Sequence, residues 1–88
     1  MVKIKKFDYV DDDGIMIYKV QIYHNYSQRM AMWQFKEYCR ECSNYVDSFK
    51  CGFEEGDTFV LCVLFNNLES RTNCINNLDE FLIKYPEK

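Results

Sequence analysis

Apolar positions change their spacing several times along this chain, and each change marks a new element. Val2 to Val10 and Ile15 to Tyr23 read as two strands around Asp11-Asp12-Asp13-Gly14, a turn of residues that tolerate left-handed backbone. In the second strand Met16, Tyr18, Val20 and Ile22 share one face, while Lys19 and Gln21 share the other. The first strand switches parity between Ile4 and Phe7, which predicts a bulge at Lys5-Lys6.

From Tyr26 to Phe49 the spacing becomes helical. Ala31, Phe35, Tyr38, Cys39, Cys42, Tyr45, Val46 and Phe49 form one apolar stripe, with Asn25 and Gln28 in capping-box positions ahead of it. Cys51-Gly52-Phe53 and Thr58 to Phe65 read as a second hairpin around Glu54-Glu55-Gly56-Asp57. Phe59 to Phe65 is apolar without alternation, which predicts the most buried strand. Asn66 or Asn67 then opens a second helix with the stripe Cys74, Ile75, Leu78, Phe81 and Leu82, ending before Pro86.

The predicted fold is α+β in the order ββαββα: a four-stranded antiparallel sheet with two helices packed on one face. One arrangement with short, uncrossed connections is a circularly permuted ferredoxin-like sandwich. Both hairpin turns are expected at the same end of it, joining Asp11, Asp12, Asp13, Glu54, Glu55 and Asp57 into one acidic rim.

Length supports a single domain over residues 1–88, with a radius of gyration of about 12 Å. A chain this short has a thin core, which the 17% aromatic content reinforces with large buried area per residue. The net charge of −3 argues against general nucleic-acid binding. Phe59 to Phe65, the longest apolar run, is too short to span a membrane, and the first residues lack the apolar stretch of a secretory signal. Five cysteines cannot all pair within one chain, so reduced thiols and a cytoplasmic location are expected.

One residue breaks the pattern. At about 100° per residue, Trp33 points about 160° away from Phe35, toward Arg29, Glu37, Arg40 and Asn44. Such a ring packs internally, pairs with its own copy, or meets a partner; Trp and Arg are the residue types that anchor interfaces.

Other chemistry is sparse. Cys39 and Cys42 sit mid-helix on the apolar stripe, without the N-terminal dipole that activates redox thiols, and read as core residues. Zinc lacks a fourth ligand, and around Gly14 a calcium loop has Tyr9 and Val20 where acids belong. No cofactor or metal is expected. One histidine, no nucleophile–base motif and no glycine-rich phosphate loop leave no enzyme signature.

The resulting expectation is a small, acidic, non-enzymatic protein that binds and modulates or inhibits another protein. A viral or mobile-element accessory protein covering a basic, nucleic-acid-handling host surface suits the composition. Its contact residues are Arg29, Met30, Trp33, Glu37 and Arg40, with Asp11, Asp12, Asp13, Glu54, Glu55 and Asp57 steering association. Two alternatives stand beside it: RNA or single-stranded DNA on an open sheet face showing Ile15, Ile17, Tyr23 and alternate residues of the Phe59 strand, and a structural homodimer.

Overall fold

A computed structural model describes residues 2–53 and 58–85, with side chains at 2–50 and 58–85. Strands β1 (Lys3–Val10) and β2 (Met16–His24) form a hairpin closed by Gly14 at φ 81° and by Asp11, whose Oδ1 accepts from the Asp13 and Ile15 amides at 2.9 Å. A single 3-10 turn (Tyr26–Gln28) leads into α1 (Arg29–Arg40). Then follow β3 (Tyr45–Phe53), β4 (Phe59–Phe65), α2 (Leu68–Asn76) and α3 (Leu78–Lys84).

The sheet is antiparallel throughout, in the order β1-β2-β4-β3. Its helix side carries Val20 and Ile22 of β2 beside Leu61, Val63 and Phe65 of β4, packed on Ala31, Met32, Phe35 and Cys39 of α1 and on Cys74 and Leu78. Phe35 meets the edge of Phe81 at 5.8 Å, which joins α1 to α3. On the reverse side Val60, Cys62 and Leu64 are buried as well, so β4 is covered on both faces, as its unbroken apolar run implies. No helix among the described residues is long and apolar enough to cross a membrane.

Four expectations are corrected. The first helix ends at Arg40, not Phe49, and Tyr45, Val46 and Phe49 belong to β3. Asn44 reverses the chain at φ 68°, and β4 requires a partner strand along its length, which Cys51-Gly52-Phe53 alone is too short to supply. The β1–β2 register runs without a bulge from Lys3↔Tyr23 to Val10↔Met16. All eight residues of this edge strand are exposed, so burial does not constrain their parity; the register shifts lie in β3 instead.

The hairpin ends also differ. Tyr18 pairs with Phe65 and His24 with Phe59, so the Asp11–Gly14 turn lies at the Phe65 end of β4. The Phe53–Phe59 pair closes the second hairpin at the other end, and no common acidic rim forms. Glu54, Glu55 and Asp57 themselves lie outside the described residues. Finally, Cys39, Cys42 and Cys74 are free thiols but Cys62 is disulfide-bonded. An odd cysteine count excludes complete pairing; it does not exclude a single bond.

The second helix is interrupted only at Asn77, whose side chain donates to the Asn73 carbonyl and to the Tyr38 hydroxyl, both at 3.0 Å. Asn67 caps its start by accepting from the Ser70 amide. The capping box of Asn25 and Gln28 is present as predicted, and it orients the entry to α1.

Candidate functional site

Trp33 is 52% exposed. It lines an open groove of about 440 Å³ between the first half of α1 and the His24–Phe59 end of the sheet. From the helix come Arg29, Met30, Met32, Trp33 and Lys36. Trp33, Arg29 and Lys36 follow an i, i+4, i+7 spacing, so they share one flank of α1, while the adjacent core stripe of Met32, Phe35 and Cys39 holds the helix on the sheet. The capping box fixes where this flank begins.

The sheet supplies the facing wall. Phe59 stacks on His24 at 5.9 Å and tilts against Tyr26 at 6.1 Å. Arg29 extends this wall: its guanidinium lies 4.0 Å over the Tyr26 ring and donates to the Tyr26 carbonyl at 3.1 Å. Lys50 and Ser48 enter from β3, where the Ser48 hydroxyl is held 2.7 Å from that of Tyr45. Leu61 contributes apolar surface from the sheet. The result is an aromatic and thioether lining with Arg29, Lys36 and Lys50 as its charges, and no carboxylate among the described lining residues.

His24 donates from Nδ1 to the Asn25 carbonyl at 2.9 Å. Burial lowers its pKa below the usual value of 6.5, and nearby Lys50 acts in the same direction against the opposing effect of that carbonyl. His24 therefore presents a neutral ring to the groove at pH 7.

Of the residues picked from sequence, the fold brings Arg29, Met30 and Trp33 together here. Glu37 and Arg40 lie one turn beyond and pair with each other at 3.2 Å on the surface. Asp11, Asp12 and Asp13 sit at the opposite end of the sheet, where Asp11 fastens its own turn. The reading of the residues missed His24, Tyr26, Ser48, Lys50 and Phe59 as neighbours of Trp33. His24 and Phe59 meet through the pairing of β2 with β4, and Ser48 and Lys50 arrive because β3 returns beside β4, which a helix running to Phe49 concealed.

Three thiols form a second grouping of titratable side chains. Cys42 and Cys74 lie with sulfurs 3.2 Å apart, next to buried Cys39. Burial, and then contact with Cys42, pushes the Cys74 thiol up to about 12, and burial raises Cys39 as well, so both stay protonated as core residues. No grouping of three or more His, Cys, Asp or Glu suited to a metal ion occurs among the described residues.

The sheet face away from the helices is the other exposed aromatic surface. Phe7, Tyr9 and Phe49 are exposed there, with Lys3, Lys5 and Lys19 on the same parity, while Ile17 is buried and Ile15 lies in the turn region. Lys5 sits 5.0 Å over the Tyr23 ring and Lys19 5.8 Å over Phe7. Asp47 is the one acid that the β3 register places on this face.

Comparison with family models, with curated proteins and with solved structures finds no match to this chain.

Proposed function

We propose that this chain is a non-enzymatic binding protein that takes a segment of another protein into the groove beside Trp33 and modulates that partner by covering it. The observation that carries the reading is a half-exposed indole set in a preformed groove with an arginine already oriented at its rim. Aromatic and arginine side chains held this way lose little freedom on binding, which is why they dominate interface energetics. His24, the single histidine, is neutral and engaged with a backbone carbonyl, which suits a recognition wall better than a proton-transfer site. An inhibitory role and a viral or mobile-element origin remain part of this proposal. The basic partner surface expected from the acidic turns is not carried over: Asp11, Asp12 and Asp13 lie at the opposite end of the sheet from the groove, and the described charged residues that line the groove are cationic.

The test is selection from a random dodecapeptide display library on the full chain, with counter-selection on Trp33→Ala. Clones that bind the wild type and not the variant support the reading. A selection that yields no Trp33-dependent clone overturns it.

A second reading has its own observation: the open sheet face carries exposed rings and three lysines on one parity, a combination that suits stacking of single-stranded bases. Labelled RNA and DNA oligonucleotides titrated at rising salt test it. Steeply salt-dependent binding that Phe7→Ala weakens and Trp33→Ala leaves intact favours this face. A homodimer is read separately, by light scattering at two protein concentrations.

A further inference from the structure

We infer that the occupant of the Trp33 groove is an acidic peptide segment, with one large apolar side chain seated between Trp33 and Phe59 and carboxylates to either side. This rests on the groove being a protein-docking site and adds the chemistry of what it takes.

The argument is one of charge placement. The chain has 14 acidic residues against 11 lysines and arginines, so an average surface patch is slightly negative. The groove departs from that average: Arg29, Lys36 and Lys50 line it, and no described carboxylate does. The nearest acid along α1, Glu37, is occupied by Arg40. The cations stand on opposite banks, Arg29 and Lys36 on the helix and Lys50 on β3. A bound segment therefore meets positive charge on both sides of its apolar anchor. In the free protein these like charges face one another across an apolar floor. An acidic ligand relieves that repulsion, and a basic one increases it. The influence of Lys50 on His24 places its charge at the same end of the groove as the aromatic wall.

Shape selects a peptide side chain rather than a string of phosphates. A volume of about 440 Å³ lies within the range of true ligand clefts, roughly 300–1,000 Å³. Met30 and Met32 supply flexible thioethers that repack around an inserted aliphatic or aromatic group.

Trp33 is the only tryptophan, so its fluorescence reports on the groove directly. The experiment takes the Trp33-dependent clones from the display selection, synthesises the tightest as a peptide, and titrates it into the full chain. The clones are expected to carry net negative charge around an apolar residue. Replacing Asp and Glu in that peptide by Asn and Gln is expected to weaken it at least tenfold at 50 mM NaCl, with the difference shrinking several-fold at 300 mM. The double variant Lys36→Glu with Lys50→Glu, checked for an unchanged far-UV spectrum, is expected to prefer a version of the peptide carrying Lys in place of its Asp and Glu residues. Trp33-dependent clones that are neutral or basic, or a neutralised peptide that binds equally well, overturn the inference while leaving the docking reading intact. No Trp33-dependent clones at all remove both. A twelve-residue oligothymidylate that shifts Trp33 fluorescence at lower concentration than the acidic peptide assigns the groove to nucleic acid and overturns the inference.

Discussion

Arg71 of α2 places Nη1 2.6 Å from Oδ1 of Asp8 on β1, joining the outermost strand to the helix layer across a sequence separation of 63. The same nitrogen lies 3.2 Å from the Lys19 carbonyl and 3.4 Å from that of Phe7, so it reads the pairing of β1 with β2 directly. Arg71 is only 6% exposed, its Nε has no partner among the described residues, and its guanidinium lies 5.5 Å over the Tyr18 ring. Every residue of β1 is exposed, so this tether adds a polar link to the helices where burial contributes little. Removing one member of a buried charge pair leaves the other uncompensated, whereas replacing the buried charge by an apolar side chain of similar volume does not. Asp8→Asn is therefore expected to lower unfolding free energy by about 1–2 kcal/mol, the half-exposed acid limiting the loss, and Arg71→Met by less. Urea denaturation of the two variants decides; the reverse order refutes this account of β1.

Trp33 and Phe35 lie two residues apart on α1 and have opposite roles. Phe35 is fully buried at the centre of the core, and Phe35→Ala is expected to cost about 3–5 kcal/mol. Trp33→Ala is expected to change stability by less than about 1 kcal/mol while abolishing ligand binding. Guanidinium unfolding followed by circular dichroism measures both. A Trp33 variant that unfolds with Phe35-like severity makes the indole part of the core.

His24 gives stability a defined pH dependence. Its folded-state pKa is lowered below 6.5, chiefly by burial, so on acidification the unfolded chain takes up the proton first. The His24 contribution is fully present above pH 6.5 and declines as pH falls through that value toward the folded-state pKa. The urea midpoint of the wild type is expected to drop more between pH 7.5 and 5.5 than that of His24→Gln. Equal slopes for the two proteins contradict the assigned direction.

The free thiols should differ in reactivity. Cys39 and Cys74 are buried with raised pKa values, and Cys42 is half-buried at the end of α1. Alkylation with iodoacetamide at pH 8, mapped by mass spectrometry, is expected to modify Cys42 first among these three. Cys39 and Cys74 should react only at the rate of unfolding. Rapid native-state labelling of Cys39 contradicts the core packing described here.

Asn44 ends the first helical region at φ 68°, with its carbonyl accepting from the Asn66 amide at 2.9 Å and its side chain donating to Ser70. Glycine adopts this conformation freely and a β-branched residue does not. Asn44→Gly is expected within about 0.5 kcal/mol of wild type, the relief of backbone strain offsetting the lost Ser70 bond, whereas Asn44→Val should cost about 1–2 kcal/mol. Thermal unfolding of the pair checks the order.

Local chemistry left legible marks on this chain. Alternation in Met16 to Tyr23, the unbroken run from Phe59 to Phe65, the Asn25–Gln28 box and the displaced position of Trp33 all follow from neighbours a few residues away, and all appear in the structure. The stretch from Tyr45 to Phe49 did not reveal itself, because its spacing satisfies a helix locally and only the unfilled edge of β4 demands a strand. The ends from which the two hairpin turns project, and so the separation of the acids, depended on antiparallel pairing between β2 and β4, a contact between segments some forty residues apart. Pairing of β2 and of β3 with β4 gathered His24, Phe59 and Lys50 around the indole. Periodicity records which way a side chain faces, since that follows from backbone geometry alone; which side chains meet depends on chain segments brought together by a shared core, and that information exists only in three dimensions.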